Sequence, residues 1–436
     1  MTPFALLLAA VGLSTAGELS IPHEKYSLEN GLEVILAPDD STPIAFVQVW
    51  YGVGSADERP GLTGFAHLFE HLMFQGSENA PGEYFLPLQE VGAEVNGTTS
   101  FDRTEYHEQV PSQHLPLALF MESDRLGWTL PVLDQETLDN QREVVRNERR
   151  QRYENRPYGE VRVDLHAAVW PEGHPYHHLT IGSHEDLEAA DLEAVRAFFR
   201  TWYVPNNASL VISGHFDREQ TKALVEQYFG VIPAGPEPPA IEVPQARIPE
   251  SREIRHLDDV PEQKVWMVWI SPALYAPGDA ELDLLSSVLS DGKDSRLYRE
   301  LVKERQIAKD IAAYQSSMGL GSMYYITGTA AKGHTTDEIV GAVDEVLAEV
   351  LGVAQPTEEE LEAARARFEV GFYHGLSTIA GKGYTLSAYN HYAGSPDYLQ
   401  RDLQRYLEPD AAGVVEWGAR VLRQPRVVLH VWPEGN

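Results

Sequence analysis

The chain has 436 residues, 43% hydrophobic and 23% charged, which is more than one core accommodates and implies two domains or more. Sixty-six acidic against 34 basic residues leave a formal charge of −32, a field that repels nucleic acid and anionic membranes and favours neutral or cationic partners. Without any cysteine the chain has no disulfide, no thiolate metal ligand and no cysteine nucleophile, so a metal would be held by nitrogen and oxygen.

In chain order, the first feature is an apolar run from Phe4 to Leu13 followed by the small residues Ser14, Thr15 and Ala16. This pattern predicts a signal peptide over residues 1–16 and an exported protein, periplasmic or secreted, beginning near Gly17. The absence of Lys or Arg ahead of the run leaves a buried N-terminal strand or helix as the alternative. The run is too short to span a bilayer permanently, and no other stretch approaches that length.

QVWYGVGSADE (48–58) then reads as a strand, and TGFAHLFEHLMFQGS (63–77) as a helix of about three turns, capped by Thr63 and stopped by Gly76. Charged helices follow at 133–156 and at DLEAVRAFFRTWY (191–203), before a turn and an alternating strand in YVPNNASLVISGHFD (203–217). Residues 231–250 hold six prolines and no helical or strand period, which marks an extended linker. Beyond it, QKVWMVWISPAL (263–274) mirrors QVWYGVGSADE (48–58), each read as the strand that opens its half, and RVVLHVWPEG (426–435) mirrors SLVISGHFD. The expectation is an α+β fold of two similar domains, 17–230 and 251–436, each a mixed or antiparallel sheet packed with helices.

The helix at 63–77 carries the chemistry. On a 3.6-residue wheel Phe65, Leu68, Phe69, Leu72 and Met73 fall on one side, and His67, Glu70 and His71 on the other. Two imidazoles four residues apart can grip one ion, with Glu70 beside them as a base rather than a ligand. The solvated side of an ordinary helix accounts for the same three residues unless a third ligand arrives from elsewhere. His174, His177 and His178 in HPYHH read as a loop, since Pro175 breaks any helical ligand spacing.

H-x-x-E-H is the inverted zinc-peptidase pattern, and here it has company. GLTGFAHLFEHLMFQGS (61–77), VGAEVNGTTSFDRTEYH (91–107), NQREVVRNERRQRYENRPYGEV (140–161), HPYHHLTIG (174–182) and DGKDSRLYRELVKERQIA (291–308) occur in the order expected of one family. Over nearly its whole length the chain resembles the insulinase/pitrilysin (M16) zinc metallopeptidases, in particular the processing-peptidase-like branch of subunits with similar length.

That resemblance implies half of a clamshell, one Zn2+ per chain held by His67, His71 and Glu148, and Glu70 as the general base. Glu148 follows His71 by 77 positions, the family's interval for a third ligand. Asn96, Gly97 and Thr98 would form a strand edge that pairs with extended peptide substrate, although Asn-Gly is also a common hairpin dipeptide. Two departures stand out. Where the family has a glutamate seven residues before the third ligand, this chain has Gln141, which can orient a ligand but adds no charge. Where the family carries an arginine and a tyrosine seven apart, binding substrate and stabilising the oxyanion, Val302 and Lys309 stand instead. The resemblance therefore implies a heterodimer whose homologous partner subunit supplies the pair, with a homodimer as the other possible assembly. Tyr298, Tyr324 and Tyr325 could substitute in cis but are explained by ordinary packing. The competing function is a scaffold or assembly subunit of the same fold, against which the intact H-x-x-E-H argues.

Overall fold

The computed structural model describes residues 19–434, so the expected signal peptide lies outside the described residues. Among the described residues, eleven strands form two sheets. The first contains β1 (Glu24–Ser27), β2 (Glu33–Pro38), β3 (Ile44–Tyr51), β4 (Glu94–Thr99), β5 (Thr104–Pro111) and β6 (Ala208–Gly214), in the order β1-β2-β6-β3-β5-β4. The second contains β7 (Arg252–Asp258), β8 (Lys264–Ser271), β9 (Ala308–Ser316), β10 (Ser322–Ala330) and β11 (Val427–Pro433), in the order β7-β11-β8-β10-β9.

The two sheets share one topology. In each, a late strand inserts beside an early one in parallel (β6 on β2, β11 on β7), and every other pairing is antiparallel. β3 thus corresponds to β8 and β6 to β11, the two likenesses expected from the sequence. Neither β3 nor β8 opens its half: β1 and β2 precede the first and β7 the second. The fold is α+β with two similar sheets.

Among the helices that position the site and cover the sheets are α1 (Phe65–Leu72), α2 (Leu115–Trp128), α3 (Gln135–Arg149), α4 (Val161–Val169), α5 (Asp279–Ser290) and α6 (Ile379–Tyr392). The chain forms two compact units, and they are not two linear halves. Residues 150–177 belong with 243–372 and 401–434, whereas 373–400 belong with 19–149 and 178–242. The extended segment 233–248, inside the proline-rich stretch, has neither helix nor strand.

In the first unit, residue alternation sorts the sheet into two faces. Phe46, Gln48 and Trp50 on β3 meet α6: a Cβ on Gly383 would touch the Phe46 ring, the Ser387 hydroxyl donates to Gln48 Oε1 at 2.7 Å, and the Trp50 and His391 rings lie 5.7 Å apart. Tyr51 and Tyr106 look the other way, toward α2 and the aromatic residues around it. Covered on both faces, β6 is buried at all seven positions. The second unit repeats this plan, with α4 against β8 and β11, α5 against β9, and β10 buried at all nine positions. Its core includes Trp269, Leu285, Tyr324, Ile339 and Leu361.

Candidate metal centre

α1 is shorter than expected, two turns rather than three. Gly64, at φ +92°, is its N-cap and Met73 its C-cap, so neither Thr63 nor Gly76 bounds it. Thr63 is engaged elsewhere: its backbone N–H and hydroxyl both donate to Asp186 Oδ2, and its hydroxyl accepts from Ser183 N–H at 3.1 Å. Phe65, Leu68, Phe69 and Leu72 are buried, and Phe69 stacks on Phe198 and Tyr203 at 5.3 and 5.2 Å. Burial of that apolar face sets the roll of α1 and turns His67, Glu70 and His71 toward α3 and the end of β4.

The imidazoles of His67 and His71 stand 4.9 Å apart and perpendicular. Glu148, in the last turn of α3, brings Oε2 to 3.7 Å from His67 Nε2 and 3.3 Å from His71 Nε2. Two ligands, each bound to zinc at its usual bond length and at a tetrahedral angle, stand roughly 3.4 Å apart. The observed separations match that figure, while both exceed an ordinary charged hydrogen bond. The donor set of two nitrogens and one oxygen also suits a catalytic rather than a closed structural zinc site. The residues present therefore fit the ion.

Glu70 lies beside this cluster without joining it. Its Oε2 accepts from the Thr99 hydroxyl at 2.6 Å, which orients the carboxylate from the end of β4. Burial pushes the Glu70 carboxyl above its ordinary value; Thr99 and His71 oppose the rise, and Glu148 and Glu105 add to it.

Asn96, Gly97 and Thr98 are in β4, an edge strand and not a turn, opposite His107, Tyr106 and Glu105 of β5. Buried Glu105 holds the strand from behind: Oε1 accepts from the Thr98 hydroxyl at 2.7 Å and Oε2 from Gln48 Nε2 at 2.9 Å. Burial alone would raise Glu105, but hydrogen bonds and charge from His107, with Gln48 and Arg103, hold it below the usual carboxylate value. Gly97 has no room for a side chain, since a Cβ would stand 2.8 Å from the Tyr106 ring and 3.1 Å from Phe74. Gly97→Ala is expected to displace the edge, raising KM for a peptide several-fold and costing about 1–3 kcal/mol of stability, measured by steady-state kinetics and chemical denaturation. Gln141 is buried on α3, two turns ahead of Glu148.

Sequence patterns did not single out Glu58, Thr99 or Glu105, which act through tertiary contacts. The HPYHH stretch is a loop, as expected, with His174 stacked on Trp170 at 4.4 Å and His177 Nδ1 2.8 Å from the Trp170 carbonyl. Among the described residues, the other grouping of potential ligands is Glu253, Asp337 and His430. Its two carboxylates are already bridged by Arg255 Nη2, at 3.1 Å each.

A family model described as insulinase (peptidase family M16) matches residues 33–180, which contain α1, Glu70 and Glu148, and one described as peptidase M16 inactive domain matches 189–368. The chain belongs to peptidase family M16. It is 29% identical over 412 residues to the zinc protease PqqE of Helicobacter pylori, covering 92% of this chain and 91% of that one. Among solved structures, a protease from Helicobacter pylori superposes with a TM-score of 0.87 at 24% identity, covering 95% of this chain and all of that one. The periplasmic protease PqqL from Escherichia coli superposes with a TM-score of 0.78 at 16% identity, covering 94% of this chain but 47% of that one.

In this M16 chain the second unit holds no H-x-x-E-H. Val302 packs against the core of that unit, and Lys309 pairs with Glu262. Tyr324 is buried with its hydroxyl 3.0 Å from that of Ser286, and Tyr325 is buried against Tyr314, so both serve packing.

Proposed function

We propose that this chain is a zinc-dependent endopeptidase that hydrolyses extended peptides or unfolded segments. The observation that carries it is the convergence of Glu148, 77 positions away in sequence, on the two imidazoles of α1 with Glu70 alongside. His67, His71 and Glu148 would hold the ion. When bound, zinc supplies Lewis acidity toward a water molecule and the scissile carbonyl. Glu70, oriented by Thr99, takes the proton from the attacking water and returns it to the leaving amine, so no acyl-enzyme forms. The Asn96–Gly97–Thr98 edge receives substrate as an added strand, which gives affinity through backbone pairing with loose sequence preference. Gln141 steadies Glu148 from the same helix.

A homologous subunit in a heterodimer supplies the arginine and tyrosine that positions 302 and 309 lack; a homodimer would repeat Val302 and Lys309 and leave the pair missing. The match to roughly half of PqqL supports this, since a chain twice as long has room for two such halves. Export is supported by the composition of residues 1–16 and by the periplasmic description of PqqL. Among the described residues no helix is long and apolar enough to cross a membrane. The charge of −32 favours cationic peptides and disfavours nucleic acid.

The test is metal content and cleavage of an unfolded cationic peptide by the purified chain, alone and mixed with its candidate partner. Stripping with a chelator is expected to abolish cleavage, and stoichiometric zinc to restore it. A chain that holds no zinc, or that binds zinc but cleaves nothing in either preparation, points to the scaffold function instead.

A further inference from the structure

α1 begins without a cap of its own, because its N-cap, Gly64, has no side chain. The open amides are taken from a distance by Glu58, whose side chain is fully buried: Oε2 accepts from Gly64 N–H at 2.9 Å and Oε1 from Ala66 N–H at 2.8 Å. Ala66 immediately precedes His67. The same Oε2 faces His178 Nε2 at 2.9 Å, and that nitrogen also lies 3.1 Å from the Ser55 carbonyl. A carbonyl only accepts, so Nε2 carries the hydrogen and shares it between Ser55 and Glu58. His178 is the last histidine of HPYHH, a stretch that takes no part in holding the ion or moving the proton.

We propose that His178 is a positioning residue for the metal centre. By donating Nε2–H to Glu58 it keeps that buried side chain aimed at the first turn of α1, and thereby fixes the line along which His67 and His71 present their Nε2 atoms. A helix of two turns has little stiffness of its own, so its register depends on whatever grips its ends. Without His178, Glu58 keeps the two amides but loses its side-chain donor, so the side chain is free to turn away and α1 loosens at the end next to His67. The consequence for catalysis rests on the zinc-peptidase proposal; the grip on α1 does not.

The experiment compares His178→Ala and His178→Gln with the unmutated full-length chain. Gln places an amide N–H near the position of imidazole Nε2. Deuterium exchange of residues 63–72 is measured in the metal-free chain, zinc affinity by competition with a chromogenic chelator, and kcat and KM on a peptide. In His178→Ala, faster exchange confined to α1 is expected, with zinc affinity about 10- to 100-fold weaker and kcat lowered at nearly constant KM. His178→Gln is expected to recover most of each loss. Unchanged exchange of α1 in His178→Ala overturns the proposal, as does an equal loss in both variants accompanied by faster exchange throughout the unit. If the unmutated chain binds no zinc, the peptidase proposal fails, while exchange in the metal-free chain still decides the role of His178.

Discussion

Glu70→Gln is expected to bind zinc as tightly as the unmutated chain while losing about 10²- to 10⁴-fold in kcat, with KM nearly unchanged. Glu70 accepts a hydrogen bond from Thr99 through Oε2, which the amide oxygen of glutamine can replace, so the orientation of the side chain survives the substitution. The substitution therefore removes proton transfer and little else. Thr99→Val supplies the control: it keeps the base but frees its orientation, so a smaller loss of about tenfold is expected. Metal content by atomic emission and kinetics on a single peptide separate the cases. Glu70→Gln turning over at the unmutated rate would show that proton transfer lies elsewhere, and loss of zinc in that variant would assign Glu70 to the metal instead.

How much of the fold and site was legible in the sequence depends on how far each signal reaches along the chain. The H-x-x-E-H face was legible because helical spacing alone puts His67, Glu70 and His71 together. The limits of its helix were not: Thr63 looked like a cap, yet its hydroxyl is drawn to Asp186, 123 positions on, and the capping fell to Glu58. Strand β6 stood out through apolar alternation, β3 and β8 through their likeness to each other, and β11 through its likeness to β6. Their sharing of one topology in two sheets was only hinted at. The exchange of 150–177 and 373–400 between the units left no trace, because an amphipathic pattern records that a helix has an apolar face but not which sheet covers it. Glu148 lay in a charged helix with nothing local to distinguish it, and only the family interval marked it.

The least legible feature is also the one with the largest expected effect on stability. LPLALFMESDRLGW reads as an ordinary helix with a polar stretch, but in α2 both Glu122 and Arg125 are completely buried, as is Glu108 on β5. Arg125 Nη2 bonds Glu122 and lies 3.3 Å from Glu108, and its guanidinium sits over the rings of Tyr106 and Tyr84 at 4.0 and 4.2 Å. Tyr84 donates to Glu108 at 3.0 Å. Burial, together with Glu122, pushes the Glu108 carboxyl well above the usual range, so one proton and one guanidinium neutralise the two acids. Removing the guanidinium alone strands a buried charge: Arg125→Met is expected to cost about 3–5 kcal/mol and to lower Tm on the order of 10 °C. Adding Glu108→Gln and Glu122→Leu to the same chain should recover most of that loss, because the desolvation penalty disappears with the charges. An Arg125→Met melting curve matching the unmutated one would refute the charged cluster. The loss should also reach the substrate edge. Tyr106, held between Arg125 and β4, forms the wall against which Gly97 lies, so residual Arg125→Met activity should show a raised KM before kcat falls. The buried ions thus act on the edge strand through a ring, which ties the interior of the first unit to the surface where a peptide would pair.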